Sequence, residues 1–154
     1  MKYIKAVAGE NNSVVYETED GTIYTWSGGT RAWRNNNPGN IRGGDFARGR
    51  GAIGNAGGFA VFADYETGFA ALLALLRAPS YRQLTIEQTI TRYAPPVENN
   101  TDAYIASVEK ITGVPRAAPL MMLSDAALHA FAKAIERHEG YKPGEILPLG
   151  GVAA

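Results

Sequence analysis

Residues 13–26, SVVYETEDGTIYTW, decide the predicted fold class because they carry the strongest hairpin signal in the chain. Two runs of β-branched and aromatic residues flank Asp20-Gly21, a pair that is typical of a tight turn between antiparallel strands. Upstream, residues 3–10 have apolar side chains at helical spacing. This spacing predicts a short helix directly before the hairpin.

The length of the hairpin loop determines which side chains share a face of the ribbon. A two-residue turn pairs Glu19 with Thr22 and turns Thr25 to the face opposite Glu19. A three-residue loop instead pairs Glu17 with Thr25, so that Glu17, Glu19 and Thr25 lie on one face. The sequence leaves both registers open.

Downstream of the hairpin, the composition changes from loop-like to helical. Residues 27–60 hold most of the glycines, and a loop of this length in a compact domain is typical of a functional segment. Four later segments have apolar side chains at helical spacing. Cap residues at Thr85 and Ser124 predict two helix starts, and Pro95-Pro96 predicts a helix end.

Length and layout indicate one α+β domain. With 154 residues, 45% of them apolar, the chain can bury one core but not comfortably two. A predicted N-terminal helix, the hairpin and Asn/Gly-rich loops fill residues 1–62, and a helical lobe fills residues 63–154. We expect a cleft between these lobes, and the domain is also compatible with being cut from a larger protein.

Charge and composition disfavour several classes of function. Lys+Arg and Asp+Glu number 15 each, so the basic surplus of a nucleic-acid-binding protein is missing. No apolar run has the length of a membrane span, and the N-terminus lacks the apolar centre of a secretory signal. With no cysteine and two histidines, neither thiol catalysis nor a zinc site is favoured, and we expect no cofactor. Carboxylates therefore become the favoured catalytic groups, as in glycoside hydrolysis.

Three polar residues around the hairpin have a spacing that suits such chemistry. Glu10 ends the predicted helix, Glu19 follows nine residues later, and Thr25 stands six residues after that. This order resembles the phage-type lysozymes, whose signature is a helix-ending Glu, then an Asp or Cys, then a Thr. The resemblance implies that Glu10 is the general acid, that Glu19 stays ionised, and that Thr25 orients a water molecule.

Longer stretches extend the resemblance over nearly the whole chain. GGTRAWRNNNPGNI, FAVFADYETG, TRYAPPVENNTDAYI and AIERHEG together resemble the muramidase domains of type VI secretion effectors and phage virion proteins. This resemblance implies a lysozyme-like α+β fold and cleavage of the β-1,4 bond between N-acetylmuramic acid and N-acetylglucosamine. Glu139 in AIERHEG also ends a predicted helix, so a permuted site with Glu139 as the acid remains open.

Side chains near the hairpin are candidates for binding sugar. Amides match hydroxyl and acetamido groups, arginines match carboxylates of muramic acid or its stem peptide, and aromatic rings offer apolar faces. An ordinary turn explains the same asparagines, because Asn tolerates left-handed backbone angles. The predicted substrate-binding residues are Trp26, Arg34, Asn35, Asn36, Asn37, Asn40 and Arg42.

Two other functions stay open. A lytic transglycosylase needs one acid/base and forms an anhydro product, whereas a non-catalytic peptidoglycan-binding or virion structural module binds without cutting. The expected partners are peptidoglycan glycan strands, with an immunity protein or a secretion or virion component as a second partner. The expected location is outside the producing cell or in a target periplasm, reached without a recognisable signal peptide, or on a virion.

Overall fold

The computed structural model describes residues 2–93 and 100–149 and has a mixed α+β architecture. The described residues form two compact units, one from residues 2–72 and 135–149 and the other from residues 73–93 and 100–134. The predicted lobe boundary at 62/63 precedes the boundary between these units at 72/73, and residues 135–149 belong to the first unit.

Two antiparallel sheets form the first unit. The larger sheet has the strand order β1-β2-β3-β6, and the smaller one pairs β4 with β5. Two short helices precede β4, and the unit also includes the first part of α3 and the last part of α6. The bounds are β1 (Tyr3–Ala8), β2 (Ser13–Thr18), β3 (Ile23–Ser27), α1 (Arg31–Arg34), α2 (Asp45–Gly49), β4 (Ala52–Ala56), β5 (Phe59–Phe62), α3 (Tyr65–Arg77), α6 (Asp125–Glu139) and β6 (Glu145–Pro148).

The predicted N-terminal helix is wrong, because these residues form strand β1. β1 pairs with β2 along most of its length, with Val7 opposite Val15. Ala6 is buried, while Val7 is 49% exposed. The few apolar residues at the start of the chain fit a helical period, but pairing with a strand that follows them decides their conformation.

The β2–β3 hairpin is confirmed, but both predicted registers are wrong. Val15 lies opposite Thr25, and the backbone N–H of Thr18 donates to the carbonyl oxygen of Thr22. The Asp20 carboxylate accepts hydrogen bonds from the Thr18 hydroxyl and from the backbone N–H and hydroxyl of Thr22. These local bonds stabilise a turn that is shifted from the position the sequence predicts.

The predicted long loop over 27–60 contains short regular elements instead. Helices α1 and α2 and strand β4 lie within it, and β5 begins at its end. β4 lies directly against β1, since a Cβ built on Gly54 would be 1.9 Å from the carbonyl oxygen of Ala6. One hydrophobic cluster of this unit consists of Ala6, Val14, Tyr16, Ala56 and Val61, with Tyr3, Trp26 and Ile53 packed against it.

The second unit is helical and matches the sequence prediction closely. It contains α4 (Ile86–Tyr93) and α5 (Thr101–Thr112). Thr85, the predicted cap residue, forms a capping box with Gln88 at the start of α4, with reciprocal bonds of 2.9 and 3.1 Å. The Ser124 hydroxyl caps α6 by accepting from the N–H of Ala127 at 3.1 Å. The predicted stop at Pro95-Pro96 lies outside the described residues.

None of the helices within residues 2–93 and 100–149 combines the length and the apolar character that a membrane span requires.

Candidate active site

The structure does not bring Glu10 and Glu19 together. Glu10 lies in the β1–β2 turn and Glu19 in the β2–β3 turn, so they stand at opposite ends of β2. Six strand residues correspond to a separation of about 20 Å. The two carboxyl groups of a glycosidase are at most about 9.5 Å apart. This geometry contradicts the predicted catalytic pair Glu10 and Glu19. Thr25 lies opposite Val15 within β3, so it does not bridge the two carboxyl groups.

Asn35, Asn36 and Asn37 are almost completely buried, with exposures of 1%, 2% and 0%. Their side-chain amides donate mainly to backbone carbonyl oxygens of β4, β5 and the preceding loop. Asn37 also accepts from the backbone N–H of Ile41 at 2.9 Å. For Asn35 and Asn37 the predicted sugar contact is not supported, because their amide N–H groups bond to backbone carbonyl oxygens of the β4–β5 hairpin and of Ile41.

An open cavity of about 450 Å³ lies in the first unit. We call it the aromatic cavity. Trp26 is one of the predicted residues that line it, and its indole N–H donates to the Tyr3 hydroxyl at 3.1 Å. Asn36 is the other. The full lining is Lys2, Tyr3, Trp26, Asn36, Ala63, Asp64, Tyr65 and Tyr141.

Close packing of α3 against the asparagine segment forms one wall of the aromatic cavity. A Cβ built on Gly68 would lie 1.9 Å from the carbonyl oxygen of Asn36, so the glycine permits this approach. The rings of Tyr65 and Tyr141 meet edge to face at 5.3 Å. Burial raises the pKa of Tyr141 to about 12, with the nearby Tyr65 as the next cause.

The last turn of α6 carries two half-buried carboxylates, Glu136 and Glu139. The Tyr65 hydroxyl donates to Oε1 of Glu136, and burial together with this bond raises the pKa of Tyr65. The Asn40 amide donates to Oε1 of Glu139 at 3.1 Å. Residues three apart on a helix are neighbours, so Glu136 and Glu139 lie on the same turn of α6, each with its own neutral donor.

Asn40 is held in a backbone conformation that few residues adopt. Its φ is 46°, and its backbone N–H donates to the carbonyl oxygen of Asn37 at 2.9 Å. Its side-chain Oδ1 is buried and has no hydrogen-bond partner among the described residues. The amide nitrogen of Asn40 therefore donates to Glu139, whereas its amide oxygen has no partner among the described residues.

The two predicted arginines lie outside the lining of the aromatic cavity. Arg34 donates from Nη1 to the carbonyl oxygens of Gly28 and Gly29 at 3.0 and 2.9 Å. Arg42 stacks on the ring of Phe59, with 4.4 Å between the guanidinium carbon and the ring centroid. Neither contact supports the predicted binding of a sugar in the aromatic cavity.

The sequence pattern does not identify Glu136, Tyr65 and Tyr141 as site residues. In the sequence, Glu139 continues the apolar stripe of its helix, four residues after Ile135, whereas Glu136 is predicted to be solvated. In the structure Glu136 is half-buried. The two tyrosines come from segments that the whole second unit separates in the sequence. Within the described part of the chain, no group of three or more His, Asp or Glu side chains could hold a metal ion.

Comparison of the sequence with models of known protein families and with curated protein sequences gives no match. The function is therefore inferred from the residues of this chain.

Proposed function

We propose that the chain is a peptidoglycan-cleaving glycosidase of the muramidase type with a lysozyme-like architecture. One observation carries the proposal: two half-buried carboxylates, Glu136 and Glu139, lie on one helix turn and each accepts from a neutral donor. Tyr65, the donor to Glu136, also lines the aromatic cavity, so Glu136 is connected through one hydrogen bond to a volume that falls within the usual range for ligand sites.

Glycoside cleavage needs a proton donor for the leaving oxygen and a negative group near the oxocarbenium-like centre. We assign the proton donor to Glu139 because its partner Asn40 can serve both protonation states. The amide N–H donates to a carboxylate, and Oδ1, which is buried without a partner, would accept from a carboxylic acid if the amide turned over. Glu136, held by the hydroxyl of Tyr65, is then the charged group.

The aromatic cavity supplies groups that suit an amino sugar. Tyr3, Trp26 and Tyr141 offer ring faces and edges to the apolar side of a pyranose. Asn36 brings amide chemistry to the wall, and Lys2 brings a positive charge that suits the lactyl carboxylate of muramic acid. The proposed substrate is thus the peptidoglycan glycan strand of a target cell, reached by secretion, by injection or on a virion.

The test compares Glu→Gln variants in the last turn of α6 with Glu→Gln variants in the two hairpin turns. We expect Glu139→Gln to reduce the release of fragments from purified sacculi by about 10²- to 10⁴-fold. Glu136→Gln should also reduce fragment release markedly. Glu10→Gln and Glu19→Gln are matched controls, because they make the same change at exposed hairpin turns. Circular dichroism and thermal unfolding establish equal folding.

Three outcomes would contradict the proposal in different ways. Loss of activity in Glu10→Gln with full activity in Glu139→Gln would return the acid to the hairpin. Anhydro ends in the mass spectra of released muropeptides would identify a lytic transglycosylase, whereas reducing ends support hydrolysis. Binding to sacculi without fragment release, unchanged in all four variants, would identify a non-catalytic module.

A further inference from the structure

A second cavity in the first unit is positively charged and has a volume of about 310 Å³. We call it the arginine cavity. Arg31 and Arg34 line it, together with uncharged residues that include Asn12, Ser13 and Asn35. None of the described residues in its lining is acidic, and none of them lines the aromatic cavity.

The two arginines are held in place by different contacts. Arg34 donates from Nη1 to the carbonyl oxygens of Gly28 and Gly29, which accounts for both N–H groups of Nη1. The Nε and Nη2 groups of Arg34 carry three further N–H donors. None of these donors is hydrogen-bonded to a described residue. Arg31 stacks on the ring of Phe59 at 4.3 Å.

Two guanidinium groups in one cavity repel each other, and the repulsion increases when water is partly excluded. Burial lowers the pKa of Arg34, and the neighbouring Arg31 lowers it further. A bound anion would offset both costs, because it is attracted by both charges. The fixed fork of Arg34 also matches the paired oxygens of a carboxylate or phosphate group.

We propose that the arginine cavity is a binding site for an oxyanion, the carboxylate or phosphate group of a ligand. Arg34 forms the fixed side of the site, and Arg31 supplies the second charge at its mouth. The site is independent of the proposed glycosidase activity, because Glu136 and Glu139 take no part in it. Loss of one function would therefore leave the other measurable.

The experiment measures the thermal unfolding midpoint of the full chain in sodium acetate, sodium phosphate and sodium chloride at equal ionic strength. A ligand that binds the folded state alone raises this midpoint in a saturable way. We expect such a rise with acetate, with phosphate or with both, beyond the effect of chloride. The anion with the larger effect identifies the carboxylate or the phosphate as the preferred group.

Arg31→Gln tests the site without removing the bonds that Arg34 makes to the glycine carbonyls. We expect this variant to lose most of the rise. Arg50→Gln is the matched control, because Arg50 is also an exposed arginine beside an aromatic ring, Phe46, but lies outside the arginine cavity. It should keep the full rise.

An NMR titration of the unmodified chain gives a second measurement that does not depend on any variant. The Nε–H resonance of Arg34 should move on addition of acetate or phosphate, and that of Arg50 should not. The proposal is overturned if chloride has the same effect as the oxyanions, or if Arg31→Gln and Arg50→Gln lose the rise equally. It is also overturned if the Arg34 resonance does not move.

Discussion

The segment NNNPGN places the same amide side chain in two different environments. Asn37 is completely buried and bonds to the backbone around it. Asn40, three residues later, donates to a carboxylate on α6 and has a buried oxygen without a partner among the described residues. The difference teaches that an amide bound on all sides to backbone stabilises a fold, whereas an amide bound to a titratable side chain can take part in chemistry.

The largest expected effect is on stability. Asn37→Ala removes the bonds that join its amide to Ile41 and Ala60 and leaves the buried N–H of Ile41 without this acceptor. We expect a loss of about 2–4 kcal/mol in the free energy of unfolding, measured by urea denaturation. Asn55→Ala, at an exposed position, should change it by less than about 0.5 kcal/mol. Equal stability of the two variants would remove the distinction between Asn37 and Asn40.

The next effect is on the rate of cleavage. Asn40→Gly keeps the left-handed backbone, which glycine adopts freely, but removes the donor to Glu139. We expect kcat on sacculi to fall by about 10- to 100-fold with little change in KM, because the acid is no longer held in position. Asn11→Gly is the control, since Asn11 has a φ of 51° in the β1–β2 turn. A fall in stability with unchanged kcat would give Asn40 the same structural role as Asn37.

The smallest effect is on the pH dependence of stability. It distinguishes the side chain of Tyr141, which titrates, from the asparagine amides, which do not. The pKa of Tyr141 is raised by burial to about 12 in the folded chain, from an ordinary value of about 10. The contribution of Tyr141 to the free energy of unfolding is fully present below about pH 10 and is lost as the pH rises towards 12. We expect Tyr141→Phe to reduce the alkaline loss of stability, measured by thermal unfolding between these pH values. An unchanged alkaline profile would mean that the Tyr141 ring is hydrated.

The helices that begin or end in the second unit could be predicted from the sequence because their signals are local. The capping pair Thr85 and Gln88, the cap at Ser124 and the left-handed Gly113 all act within a few residues of a helix end. Local hydrogen bonds of this kind depend little on the rest of the fold.

The strands and the site could be predicted only in part, because they depend on distant partners. β1 is a strand because β2 pairs with it, and the hairpin register depends on the side-chain bonds of Asp20. Whether an asparagine faces a ligand or a backbone carbonyl depends on where β4 and β5 lie. Glu139 could be selected from its position at a helix end. Its contact with Asn40, and the contact of Glu136 with Tyr65, form only in the folded chain.

Strand β6 has a consequence for handling the protein. Glu145–Pro148 covers the outer edge of β3, and an edge strand that loses its cover offers unpaired N–H and C=O groups to other chains. Removal of these four residues would therefore favour association of molecules through β3 and precipitation during purification. Pro148 lacks an N–H group and limits the growth of the sheet beyond β6, so a fusion partner or affinity tag is safer after this proline than in place of the strand.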